Sequence, residues 1–429
     1  MNKIKMKDFP YRSLTVNVIV SCFIFALGIN LIGTGIAQKV YYIASYIGIL
    51  LLIIAAFKQG TMRDKFSSSN QLLPFLGSIV LLGALFMIWS FQIRSQATLL
   101  GGGIDDNSQQ IIKSYYVSGT RLLLSATAIL FIFQHNKLIR FETIVLGKAM
   151  LTVCLCIAVY KGWIEYHDQH AGRIKLYTPA ASILSYMVIF LYCAYLSLSL
   201  TNYGKVSAVW DLLITVLVGA LLLMADTRIT QLAFISTFLL YLLINPTIRK
   251  KINLKTACSL VFILIVVMGS LTAKRWQEGL NDIKGFHQNS SSSLGARVAI
   301  WHAAWFFIKA HHGFSSPAER TEQARRYIGQ YYPDNHEGYT NSQYNMHNEI
   351  LEITTLFGLV GSVALALFYL SAYWVIIRHR LAEGTLLTVT ALFICGLSDS
   401  VLWYHQSVLV LALALSISFM GNKTTNNLR

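Results

Sequence analysis

The sequence predicts an all-α, polytopic integral membrane protein of about twelve transmembrane helices, and three observations carry that expectation. Of 429 residues, 55% are hydrophobic and only 13% charged, with a mean hydropathy of +0.54. A soluble domain carries roughly 25% charged residues. The apolar residues fall into runs close to the ~20 that cross a ~30 Å hydrocarbon core as a helix. Trp89, Trp163, Trp210, Trp276, Trp374 and Trp403 all lie near the ends of such runs, where indoles favour the membrane–water boundary.

Taken in order, the expected spans are 14–33, 40–57, 72–91, 117–134, 143–160, 179–200, 207–225, 229–245, 256–272, 348–377, 385–400 and 405–421. The first exceeds the apolar core of a cleavable signal, so it reads as a retained helix. Lys and Arg concentrate in alternate short loops, anchored by Arg249, Lys250, Lys251 and Lys255 and by Arg378 and Arg380. The positive-inside bias then puts both termini in the cytoplasm. The net charge of +16 thereby becomes a matter of topology and of contact with anionic membrane lipids. No basic stripe interleaved with aromatics occurs, so no nucleic-acid partner is expected. The six cysteines sit in apolar runs without a CxxC pair, which argues against a disulfide framework or a zinc site.

The chain reads as one transmembrane domain, 1–429, with a single large insertion at 273–346 between the ninth and tenth spans, on the outer side. Connections this long are usually functional or disordered, and this one, rich in Trp, Tyr, His and Arg, reads as an ordered cap. Within it Val298, Trp301, Trp305 and Ile308 recur at helical spacing, predicting a helix that lies flat on the outer leaflet.

The strongest local pattern opens the tenth span: His347-Asn348, nine residues, then Gly358-Leu-Val-Gly361. Eleven residues are about three helical turns, so His347 and Gly358 are expected on one face, with the glycines admitting a neighbouring helix. On these grounds His347 is as readily an interfacial side chain as a catalytic one. The pattern resembles the signature of the bacterial O-antigen ligases, part of a wider family of membrane glycan ligases, polymerases and protein O-oligosaccharyltransferases. The resemblance extends over essentially the whole chain, from the span count and cytoplasmic termini to the large loop before the signature histidine. It implies a GT-C-like fold.

Further residues fit that picture. Arg228, after Asp226-Thr227, falls in the first turn of the eighth helix, where the macrodipole disfavours a cation and a phosphate or Asp226 is wanted as partner. Arg297 and Trp301 match the family's Arg-x3-Trp segment. The family often continues with a proline before a glycine-rich turn, whereas this chain reads Ala310-His311-His312-Gly313-Phe314-Ser315, so only Arg297 carries over. Asp399 is expected in the last turn of the eleventh span. Arg173 and Lys175 face either a phosphate or lipid headgroups. Gly101-Gly102-Gly103-Ile104-Asp105-Asp106 lacks the GKS/T of a phosphate-binding loop and reads as a flexible outer loop. The pairs His311-His312 and His167/His170 lack companion metal ligands. Glu349 and Glu352 suit the dipole of a first helical turn and need no further role.

The resemblance implies the chemistry: an O-antigen glycan leaves undecaprenyl diphosphate for a hydroxyl of lipid A–core, with inversion, in the bacterial inner membrane. It implies His347 as general base, Arg228 and Arg297 on the diphosphate, and Asp399 and Asn348 as orienting groups, with neither cofactor nor metal. Polymerase or protein O-oligosaccharyltransferase activity would use the same donor. A lipid-linked glycan transporter would instead call for repeats and midplane charges, which the sequence does not show.

Overall fold

The computed structural model describes residues 10–58, 70–99, 104–168, 172–200, 208–245, 248, 253–271, 273, 277–278, 281–282, 292–379 and 383–420. The Gly101–Gly103 run, Arg249 to Lys251, Arg380, Trp276 and His170 lie outside them. Among the described residues the secondary structure is helical throughout, without a strand. Helices α1 (Pro10–Ile29), α2 (Thr34–Lys58), α3 (Leu73–Leu99), α4 (Asp106–His135), α5 (Phe141–His167), α6 (Ala181–Leu200), α7 (Ala208–Ala225), α8 (Arg228–Ile244) and α9 (Leu254–Leu271) precede the insertion. Helices α10 (Ser293–Ala310), α11 (Pro317–Tyr331) and α12 (His336–Asn341) lie within it. The chain ends with α13 (Glu349–His379), α14 (Glu383–Gly396) and α15 (His405–Ile417).

Among the described residues, each of the twelve expected apolar runs contains a helix. Among the described residues, six helices are long and apolar enough to cross a membrane: Gly35–Phe57, Leu73–Gln96, Asp106–Leu138, Phe141–His167, Ala181–Leu200 and Glu349–Arg378. Several others are shorter apolar helices of 10–17 residues, α14 and α15 among them. Helices α6 and α15 form the middle of the bundle. Every residue of α6 from Ile183 to Leu198 is buried, as are all residues of α15 from Ser407 onward. A helix that is apolar all round can be satisfied only by neighbours on every side, and here these include α4, α14 and α1.

Local chemistry sets the helix boundaries. Asp105 accepts a hydrogen bond from the Ser108 amide (2.9 Å) and caps α4, satisfying an otherwise unpaired donor. The fourth expected span therefore begins eleven residues early, and Asp105-Asp106 is a helix start rather than a loose loop. Ser292 caps α10 through Gly295, Ser316 caps α11 through Glu319 with Pro317 in its first turn, and Asn335 caps α12 through Gly338.

Helices α10–α12 make a cap with a small core of its own: Ala299, Ile300, Ala303, Ala304, Ala324, Ile328 and Met346. Ala299, Ala303 and Ala304 of α10 face this core. The expected membrane-facing stripe is split, since Trp305 is 57% exposed while Trp301 turns toward the start of α13. The cap is tied to the bundle by Trp89, whose indole donates to the Ser315 carbonyl (3.0 Å). Trp89 is fully buried among Phe86, Tyr115 and Phe357, so it is a core anchor and not the boundary residue its position suggested. Trp403 is buried too, whereas Trp163, Trp210 and Trp374 are exposed.

Two expectations about α13 are corrected. Gly358 has φ +62° and ψ −156°, a region essentially reserved for glycine. It breaks the helix, so His347 and Gly358 do not share a face of one straight rod. The glycine admits the 312–315 loop rather than a helix: Leu359 donates to His312 (3.3 Å) and Ser315 to Leu356 (3.1 Å). Gly361 is crowded by Phe357 and Ile353 of its own helix, as the kink folds one turn onto the next. Asp399 also moves. Helix α14 ends at Gly396, leaving Asp399 in the turn beyond it.

Candidate active site

The residues brought together at one end of the bundle are His347, Asn348, Asp399 and Arg297. His347 precedes α13 with φ +47°, a left-handed conformation uncommon for a side-chain-bearing residue. Three contacts hold it. Its amide donates to Asn345 Oδ1 (2.7 Å), its carbonyl accepts from Trp301 Nε1 (3.2 Å), and Asn348 behind it caps α13 through Ile350 and Leu351. The outcome is an imidazole whose Nδ1 is buried and faces Asp399 Oδ1 at 3.5 Å. Left-handed residues held this firmly tend to cluster at functional sites.

The turn carrying Asp399 is pinned residue by residue. Asn348 donates to the Leu397 carbonyl (3.1 Å), Arg297 to the Ser398 hydroxyl (3.1 Å), and Tyr186 of α6 to Asp399 Oδ2 (2.8 Å). The Ser400 amide completes the set at Asp399 Oδ1 (2.9 Å). Burial pushes the Asp399 carboxyl up, but His347, Tyr186 and Ser400 together outweigh it and leave the group below the usual carboxylate range. An ionised acid beside Nδ1 fixes which ring nitrogen carries the proton and leaves Nε2 on the opposite edge.

A second layer, overlooked in the sequence, supports this arrangement. Arg320 of α11 and Glu352 of α13 form a fully buried ion pair (2.5 Å). Glu352 also accepts from the Met346 amide (2.8 Å), and Arg320 donates to the Tyr344 carbonyl (3.3 Å). The strand of backbone entering His347 is therefore clamped from both sides. Glu349 is buried as well and accepts from the Leu402 amide (2.9 Å). These acids do more than suit a helix dipole. Their signal in the sequence was the recurrence of Glu349 and Glu352 at one-turn spacing in an otherwise apolar helix. Their partner Arg320 lies in a polar segment with nothing to distinguish it from its neighbours Arg325 and Arg326.

Arg228 opens α8, as expected, but its ion pair is with Glu278, at 3.9 Å and with both groups partly exposed. Such a pair contributes little in water and leaves the guanidinium able to exchange partners. Arg228 is linked to the His347 cluster through adjacent residues. Thr227 receives a hydrogen bond from Ser185 (3.1 Å), and Ser185 precedes Tyr186, which holds Asp399. Arg173 braces that same turn, donating to the Ala225 carbonyl (3.1 Å) and to Thr227 (2.9 Å). Lys175 is exposed, and its backbone amide is held by Glu165. His311 pairs with Glu319 (3.0 Å).

Residues 213–366 match a family model described as O-Antigen ligase. Over that segment the chain is similar to the O-antigen ligases. The matched segment contains Arg228, Arg297, His347, Asn348 and Gly358, while Asp399 and Tyr186 lie outside it. Over 441 aligned residues the chain is 23% identical to the O-antigen ligase of Escherichia coli (strain K12), covering 99% of this chain and 98% of that protein. The resemblance to that protein therefore extends over both whole chains. The apolar helices agree with a membrane protein of that kind.

Proposed function

We propose that this protein transfers an O-antigen glycan from undecaprenyl diphosphate to a hydroxyl of lipid A–core, at the periplasmic face of the inner membrane. The observation that carries the reading is the His347–Asp399 pair (3.5 Å), beside the turn that Arg297 of α10 holds through Ser398 (3.1 Å). In this reading, twelve crossings with both termini cytoplasmic would put that end of the bundle where both amphiphilic substrates meet.

The acceptor hydroxyl attacks the anomeric carbon as its proton passes to His347 Nε2. The bond from that carbon to the phosphate oxygen breaks, and the lipid diphosphate leaves with the electron pair. Asp399 holds the imidazole in the competent tautomer and stabilises the imidazolium that forms, as carboxylates do in other His–Asp pairs. Arg228 and Arg297 take up charge developing on the diphosphate, for which the guanidinium fork is suited. A single displacement inverts the anomeric centre. The diphosphate is already an activated leaving group, so no nucleotide is called for. Arg173 and Lys175 stand further out, Arg173 as a brace for the Arg228 turn.

The test is transfer by purified protein in detergent, with lipid-diphosphate O-antigen and lipid A–core as substrates and EDTA present. Wild type is expected to form the product and His347→Ala to form none. Equal product from both would remove His347 from the chemistry. Transfer only to a lipid-linked glycan or to a protein would replace the acceptor proposed here.

A further inference from the structure

Away from the His347–Asp399 pair, a cavity of about 480 Å³ opens between the start of α4 and the cap helices α11 and α12. That is within the roughly 300–1,000 Å³ of small-molecule sites. Its walls include Asp105 and Asn107 from α4, Glu322 and Arg325 from α11, and Tyr339 and Gln343 from α12 and the segment after it.

The lining argues against an anion. Its two arginines stand against two acids, Asp105 and Glu322; Arg326 pairs with Glu322 (3.2 Å), and Arg325 donates to the Tyr339 carbonyl (3.3 Å) and to Gln343 Oε1 (3.1 Å). The rest of the lining mixes donors and acceptors, with Asn107 Oδ1 and Gln343 Nε2, the remaining ends of two amides bonded to each other, and the hydroxyls of Ser108 and Thr321. Such a surface suits a ligand whose groups both donate and accept, as sugar hydroxyls do. Tyr339 supplies the complementary apolar plane. Its ring lies under Arg325 (5.2 Å) and is 46% exposed, open to the C–H face of a pyranose.

The cavity is also close to His347 along the chain. Asn107 donates to Gln343 (3.1 Å), and Gln343 precedes His347 by four residues, at most roughly 14 Å of extended chain. We propose that this cavity is a carbohydrate subsite that holds sugar rings one or more units away from the bond being transferred. The choice of a glycan as ligand rests on the ligase reading above, while the site itself is separate from the transfer chemistry.

The experiment measures binding of two lipid-free probes to the purified full-length protein in detergent. The probes are O-polysaccharide and core oligosaccharide, each released from lipopolysaccharide by mild acid. One of them is expected to bind wild type, and its identity assigns the subsite to donor or acceptor. Ala318 lines the cavity and is exposed, so Ala318→Trp fills the space without removing a hydrogen bond. It is expected to raise Kd at least tenfold, and Tyr339→Ala to act in the same direction. Failure of wild type to bind either probe, or wild-type affinity in both variants, overturns the subsite. Binding without any transfer by wild type would instead overturn the ligase reading and leave the subsite standing.

Discussion

Replacing Arg320 by methionine removes one half of an ion pair whose side chains are both fully buried and 2.5 Å apart. Glu352 would keep a single hydrogen bond, from the Met346 amide, and its charge would stand uncompensated. Removing one partner of a buried pair destabilises by about 3–5 kcal/mol, a shift of roughly a hundred- to several-thousand-fold at 1.4 kcal/mol per decade. Glu352→Met strands Arg320 in the same way and also orphans the Met346 amide, adding about 1–3 kcal/mol. The double variant removes both charges of the pair together, so its loss should fall at least about 2 kcal/mol short of the sum of the singles. Unfolding in mixed detergent micelles, followed by equilibrium titration, measures all three variants. Additive losses, or singles below about 1 kcal/mol, would show that the pair is not the clamp on residues 344–347. The same clamp positions His347, so both single variants are expected to lose transfer activity at temperatures where they remain folded.

Other substitutions separate the remaining roles. Asp399→Asn keeps the shape of the 397–400 turn but removes the charge facing His347 Nδ1; kcat is expected to fall by roughly 10²–10⁴ with KM little changed, and a wild-type rate would exclude the pairing from catalysis. Gly358→Ala meets both a glycine-only backbone conformation and the His312 carbonyl oxygen, so thermal unfolding should show a loss of at least about 2 kcal/mol; an unchanged melting temperature would mean that α13 runs straight. Arg228→Lys and Arg297→Lys retain charge and lose the planar fork, and each is expected to raise the KM for the lipid-diphosphate donor about tenfold, an energy of about 1.4 kcal/mol, while leaving the KM for lipid A–core near wild type. Equal effects on both substrates would place these arginines elsewhere.

Much of the architecture was legible in the sequence because the hydrophobic effect acts along the chain before it acts between helices. Apolar runs about as long as a bilayer is thick can be satisfied only as helices, and each expected run contains one among the described residues. Caps are equally local: Asp105, Ser292, Ser316 and Asn335 lie within three residues of the amides they satisfy. Asp105 was nonetheless passed over, since two acids after three glycines look like a loop until the helix they start is seen.

His347, Arg228, Arg297 and Asp399 could be named from the sequence, as motif residues and as charges at helix ends. Which of them meet could not. Asp399 is joined to Tyr186 across 213 residues and Arg297 to Ser398 across 101, and no local pattern encodes such distances. The kink at Gly358 and the burial of Glu349, Glu352 and Arg320 likewise arise only when the cap closes on the bundle. The sequence by itself determined the helices, their order and the set of reactive side chains, because these follow from hydrophobicity, capping and residue chemistry within a few turns. Tertiary structure alone decided that the carboxylate faces the imidazole and that the cap clamps the histidine's backbone, because both depend on helices far apart in the chain packing at one end of the bundle.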